Sequence, residues 1–457
     1  MLILAVLLPG VVAQLSLPII ADTSFSLLSG ELVVARQLVS WGIKLAPVSF
    51  NVQLDKRRSR RRDGLDLDDN GRGSLLHVFD QVEESAVGWG DDVASVGWGD
   101  DENVARGERG DTSWYTYVSL GSPPQSVPVL PDTGSSDLFV FGPSCTDCYL
   151  TNHTSFSPPS STSFINGSFD WTIGYGDGTT AAGYAGTDML SLGDVSIPVL
   201  IGVAGDVRGS SVAISTRSGI MGLGLDPLAS MTKDKTNGAT IFSRLVKSGK
   251  LDENVLSIRL DKGQQSQGKV YKEGMGEYTF GGIEEQYVVG GRAVLVWTSV
   301  SSVNFWGFAI DDISMGITSV LAADAKTPHR AIVDSGTSLI LTSATAAITI
   351  HSHIPSSFQD SSSGIWYIPC STSFPLTQNL FFTISGRRFG VPIEDLAWKV
   401  SDTYSNCCIS GVQGGMEAFT ILGDMFIKNH YVVLSYGSTG DQLEVGFGDR
   451  VDVQPIL

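Results

Sequence analysis

An all-β fold built from two similar halves is the class this sequence predicts, and three observations predict it. The 457 residues include 52 glycines, with frequent serine and threonine, a composition of short strands and turns. From Trp114 onward, short aromatic or β-branched runs are bounded by Gly, Pro, Asp or Ser. And "VLPDTGSSDLF" at 129–139 has a near-copy, "AIVDSGTSLIL", at 331–341. A single Asp-[Ser/Thr]-Gly is ordinary turn chemistry. Two copies in matched apolar frames, each with a downstream apolar-apolar-Gly (Ile220-Met221-Gly222 and Ile421-Leu422-Gly423), indicate a repeated half-domain that contributes one carboxylate each time.

The N-terminus comes first. Leu2–Leu8 is apolar, Pro9-Gly10 breaks it, and Val11-Val12-Ala13 offers small residues before Gln14, so 1–13 is expected to be a signal peptide. The stretch is too short to span a bilayer, and "VGFGDRVDVQPIL" at the other end lacks the apolar tail of a lipid-anchor signal. The expectation is export through the secretory pathway, to the exterior or to an acidic vacuole-like compartment, with no stable membrane anchor. The five cysteines fit disulfides in an oxidising compartment. The sequons at Asn152 and Asn166 fit a surface-glycosylated secreted chain.

Residues 14–110 read unlike the rest and are assigned to a propeptide. They hold the basic run "KRRSRRR" at 56–62, an acidic stretch behind it, and the repeated "VGWGDD" at 87–92 and 96–101. The basic run is either a processing site or a cationic patch that lies on the acidic body as an inhibitor and lets go as carboxylates protonate below roughly pH 4. "DLDDNG" imitates the front of a calcium loop, but His77 stands where a bidentate Glu is needed, so it is rejected. The net charge of −18 excludes a nucleic-acid partner and points to an acidic working environment. His351 and His353 do not make a metal site, and no metal or other cofactor is expected.

In the body, "WYTYVSL", "SVPVL", "DLFVF", "VSIPVLIGV", "YTFGGI", "FAIDDISMGI" and "HYVVLSY" read as strands, and 239–248 and 342–351 as helices. Catalytic chemistry is legible in the paired motifs. Hydrolysis of a peptide by water needs a base for the water and an acid for the departing nitrogen. Two adjacent carboxylates cannot both ionise cheaply, so they share one proton and supply both functions. Asp132 and Asp334 are the candidate pair. Gly134 and Gly336 allow tight turns and close approach, and the hydroxyls of Ser135 and Thr337 can donate to the carboxylates. No G-x-S-x-G elbow supports a serine hydrolase.

From about 112 to the C-terminus, "SLGSPPQ", "DTGSS", "YGDG", "GIMGLG", "TFGGI", "DSGTS" and "ILGD" make the chain resemble the pepsin-like aspartic endopeptidases. The resemblance implies a bilobal fold of two β-barrel-like lobes, here 111–290 and 291–457, with the cleft between them. It implies polypeptide substrates, a monomer, and Thr133 and Ser335 cross-linking the loops beneath the acids. It places Tyr175, with Gly176, Asp177 and Thr179, in a hairpin flap over the substrate. It pairs Cys370 with Cys408, and Cys145 with Cys148, and leaves Cys407 free. Asp177 with the Thr179 hydroxyl resembles the subset of the family that accepts lysine before the scissile bond. The sequence departs from the family at Pro131, usually a larger apolar or aromatic residue, and at Phe139, usually a Trp that supports the flap Tyr. Pro131 motivates the alternative of a catalytically weak or inactive homologue that acts as a binding protein.

Overall fold

The computed structural model describes residues 104–108 and 113–453, apart from 146–147, 149–152, 176–177, 194, 210–216, 233–238, 267–268, 273, 322–328 and 372–377. The signal peptide, the basic run, the calcium-loop look-alike, the tandem repeat, Asn152, Gly176 and Asp177 lie outside the described residues.

The chain is strand-dominated, and each half builds the same local motif around its Asp-[Ser/Thr]-Gly. In the first, the strand Gln125–Asp132 runs parallel to Gly219–Gly222, with Asp132 opposite Gly222. Leu138–Phe141 then returns antiparallel to that same Gly219–Gly222 strand. In the second, His329–Val333 runs parallel to Thr420–Leu422, and Ile340–Leu341 returns antiparallel to it. These strands are buried without alternation, so both of their faces are covered, which accounts for the continuous apolar runs around each polar island.

The two halves share a single sheet. It runs from Val296–Ser299 through the C-terminal strands Glu444–Asp449 and His430–Ser435 to Val255–Leu260 and Met275–Phe280, and from there into the first lobe. Between Met275–Phe280 and Ser113–Leu120 lies Val104–Glu108, antiparallel to both. The sheet therefore begins inside the segment expected to be propeptide, upstream of the expected lobe start at 111.

Helices are few. Ile241–Ser248 is capped by Thr240, whose hydroxyl accepts from the Ser243 amide, and ends at Gly249 with φ of 64°. Ala344–Ser352 starts at Ser343, which accepts from the Ala346 amide at 3.1 Å. A single turn, Asp424–Ile427, follows Gly423. His351 is buried on the helix Ala344–Ser352, bonded to the Ala347 carbonyl and Ser410, with its ring stacked 4.2 Å from Trp366. Among the described residues, no helix is long and apolar enough to cross a membrane.

Candidate active site

Each Asp-[Ser/Thr]-Gly folds as an Asx turn, with the side chain taking over a bond that backbone would otherwise make. Asp132 Oδ1 accepts from the Gly134 amide at 2.9 Å, and Asp334 Oδ1 accepts from the Gly336 amide at 2.9 Å. Three residues on, a hydroxyl reaches the second oxygen: Ser135 donates to Asp132 Oδ2 at 2.5 Å and Thr337 to Asp334 Oδ2 at 2.6 Å. The two sets repeat the same bonds.

The loops are also tied to one another. Thr133 Oγ1 donates to the Val333 carbonyl at 3.1 Å and accepts from the Ser335 amide at 2.9 Å. Ser335 Oγ reciprocates, donating to the Pro131 carbonyl at 2.8 Å and accepting from the Thr133 amide at 3.2 Å. Four bonds thus join segments some two hundred residues apart, and they set the spacing of the two acids. Gly134 is required by that spacing, since a Cβ there would lie 2.5 Å from Asp334 Oδ1.

Both carboxyls are buried. Burial pushes the Asp132 pKa upward, and the nearby Asp334 carboxyl adds to the rise, while the Ser135 hydroxyl opposes it. Such a pair retains one proton where an isolated carboxyl would have lost it. It can accept a proton at one oxygen and deliver one from another.

Pro131 is answered by the direction of its missing N–H. The Asp132 carbonyl accepts from Leu223, so Asp132 and Leu130 face the parallel partner, while Pro131 faces the other way. On that other side the ladder with Ser113–Leu120 closes at Val129. In the second lobe the corresponding Val333 still donates to the Trp306 carbonyl at 3.2 Å. Proline shortens one ladder by a rung and leaves the parallel one intact, and its carbonyl still takes the Ser335 hydroxyl.

The hairpin of Ile165–Gly174 and Thr180–Leu192 carries Tyr175 at its inner tip, where the Tyr175 amide donates to the Thr179 carbonyl at 2.7 Å. Tyr175 and Thr179 are both buried. Phe139 lies with its ring 5.9 Å from that of Tyr175, so ring packing stands where an indole hydrogen bond would stand with Trp. Asn166 is exposed on the edge strand of this hairpin, and its side chain accepts from the Ser168 amide at 2.8 Å. Cys370 and Cys408 are joined with an S–S distance of 2.06 Å, Cys145 and Cys148 likewise, and Cys407 is free.

Three residues close to the pair escaped sequence reading. Trp306 is fully buried and donates its indole N–H across the lobes to the Leu223 carbonyl at 2.9 Å. Tyr278 is buried among Ser335 and the carboxyls of Asp424, Asp132 and Asp334; burial first, then Asp424, holds its phenol protonated well beyond the usual range. Asp137 accepts from the amides of Ser230 and Met231 and fixes the loop behind the first motif. In sequence, the first is an aromatic just ahead of a strand, the second an ordinary strand aromatic and the third an ordinary loop acid.

The family model described as eukaryotic aspartyl protease matches residues 113–448. Rhizopuspepsin-4 of Rhizopus niveus is 31% identical over 326 residues, covering 71% of this chain and 75% of that protein. Pepsin-3 of Oryctolagus cuniculus is 30% identical over 329 residues, covering 71% and 78%, and syncephapepsin of Syncephalastrum racemosum is 30% identical over 328 residues, covering 72% and 76%. The match takes in both paired motifs and most of each lobe: this chain belongs to the eukaryotic aspartyl protease family, as a pepsin-like aspartic-type endopeptidase.

Proposed function

We propose that the protein is made as a secreted zymogen and, once processed, acts as a monomer at acid pH, where the Asp132–Asp334 pair activates water to hydrolyse peptide bonds. The observation that carries the reading is the duplicated bonding of two buried carboxyls on loops tied together. With one shared proton, the ionised member takes a proton from water as the oxygen attacks the scissile carbonyl. The protonated member neutralises the developing charge, and the proton passes to the departing nitrogen. Which carboxyl holds the proton is a property of the pair. No cofactor takes part. Because the pKa is raised, the shared proton is kept through mild acid and lost as pH climbs, so activity falls toward neutral pH.

Processing at the 56–62 run leaves Val104–Glu108 in the sheet, whereas cutting at Arg106 or Arg109 removes it and exposes the edges of two strands. We favour the upstream cut. One preparation tests both parts: the whole chain is expressed by a secreting host, the product's N-terminus sequenced, and denatured globin digested at acid pH. A start just after the basic run and pepstatin-sensitive cleavage are expected. Absence of cleavage by the processed protein would support the inactive binding homologue, and a start beyond Arg109 would end the upstream-cut reading.

Asp177 is read as accepting a lysine ammonium at the residue before the scissile bond, with Thr179 beside it. A charge-assisted hydrogen bond is worth roughly 1.5–3 kcal/mol, or about ten- to a hundredfold in specificity. An ordinary Asp titrates near ~3.9, so the Lys-to-Leu ratio of kcat/KM on matched peptides is expected to rise from pH 3 to pH 5. It should fall in Asp177→Thr. A ratio insensitive to both pH and substitution means that Asp177 does not read lysine.

A further inference from the structure

Along the strand Ile165–Gly174, residues 165–170 are exposed, and only Trp171 and Ile173, with Tyr175 just beyond, turn inward. Alternate positions of an extended chain share a face, so these three form the inner face of this strand, beside the buried Ala181 and Ala185 of its partner. Phe139 sits between two of them. Its ring lies 5.6 Å from that of Trp171 and 5.9 Å from that of Tyr175, both within range of favourable aromatic packing.

Trp171 itself has one place to go. Its indole N–H donates to the Tyr184 carbonyl at 3.1 Å on the neighbouring strand. Its six-membered edge fills a notch left by Gly202 on the strand Val195–Arg208: a Cβ on Gly202 would lie 2.4 Å from Trp171 Cε2, and 2.7 Å from the Met231 methyl. The notch, the hydrogen bond and the ring contact fix the indole on the inner face of the hairpin, and it packs against the ring that supports Tyr175.

We propose that Trp171 is a positioning residue for Tyr175: seated in the Gly202 notch, it fixes the Phe139 ring on which Tyr175 rests, and so sets the height of the hairpin tip over the acids. The inference rests on the reading of Tyr175 as the residue that closes over substrate. The outer face of the hairpin meets solvent, so its inner face is what can hold its position. A ~1 Å misplacement at the reacting centre, caused by a change far from it, can cost about a hundredfold in rate.

The test is a double-substitution cycle with active enzyme counted by pepstatin titration. Trp171→Leu is expected to lower kcat/KM about tenfold, with kcat falling and KM rising together as at other closing segments. Trp171→Phe should recover most of the loss, because a ring still reaches Phe139. Gly202→Ala, which drives a methyl into the indole, should reproduce the Leu variant, and these two substitutions carry the comparison if Trp171→Leu does not fold. In a Tyr175→Ala background, Trp171→Leu should change kcat/KM by less than about twofold. Independent, multiplying losses overturn the proposal, as does a Trp171→Leu variant with a lowered Tm and unchanged kcat/KM. A fully active Tyr175→Ala variant removes the reading of Tyr175 itself, and the proposal with it.

Discussion

Asp132→Asn and Asp334→Asn are each expected to lower kcat/KM by roughly a thousandfold or more, since general acid–base catalysis is worth about 10²–10⁴ and either change leaves no pair to share a proton. Asparagine keeps an oxygen acceptor for the Gly134 or Gly336 amide, so the turns should survive. Folding then separates a lost acid from a lost fold. Because the folded-state pKa of Asp132 is raised, the folded protein holds a proton that the unfolded chain releases above the ordinary carboxylate pKa. That costs stability as pH rises from ~4 through the raised value, at about 1.4 kcal/mol per unit of pH. Asp132→Asn should therefore be more stable than the parent at neutral pH and equal to it near pH 3. Substantial turnover in either asparagine variant would remove the two-carboxyl mechanism. A neutral-pH stability unchanged by Asp132→Asn would show that burial does not hold the proton.

The second large effect is acid destabilisation through two buried histidines of the C-terminal lobe. Burial holds His351 at about 4, with the Ala347 carbonyl working against the shift. Burial holds His430 at about 3, helped by the positive charges of Lys262, Arg450 and Arg387 and opposed by the Gly390 carbonyl. His430 is also packed against Phe426 and Phe389, with ring centroids 4.4 and 5.4 Å away. Above pH ~6.5 each is neutral in both folded and unfolded chains. As pH falls from ~6.5 to 4, the unfolded chain takes up protons that the folded one refuses, so stability drops by about 1.4 kcal/mol per unit for each histidine. The acid working range proposed for the carboxyl pair is thus opposed by the C-terminal lobe. His351→Gln is expected to lose stability at pH 7, where the bond to Ser410 is weakened, and to lose less than the parent between pH 6.5 and 4. Urea midpoints across that range measure the difference. Parallel curves for parent and variant would mean that His351 ionises freely within the fold.

How much of this was legible in the residues alone follows from the range over which each feature acts. The two Asp-[Ser/Thr]-Gly loops were readable because an Asx turn, a tolerant glycine and a hydroxyl three residues on are local chemistry, and because they occur twice in matched apolar frames. Strands such as Gln125–Asp132 and His430–Ser435, and the helix Ile241–Ser248 with its threonine cap and terminal glycine, were readable for the same reason. The answer to Pro131 was not, since a missing N–H matters only according to which neighbour it faces, and ladder partners are set by topology.

Tertiary structure alone decided the rest. The sheet that Val104–Glu108 enters joins strands from the beginning, middle and end of the chain, and no periodicity encodes that pairing. A tryptophan in "DWTIGYG" reads as any strand aromatic until Gly202, from another strand, opens the notch that receives it. Tyr278 and His351 have ordinary sequence surroundings, and burial against distant groups is what moves their protons. The sequence by itself marked the two carboxyls proposed to do the chemistry, because their turns are made by neighbours along the chain. Folding determined how far apart those atoms stand and how tightly their protons are held, because both depend on contacts made across some two hundred residues of chain and on the water that those contacts exclude.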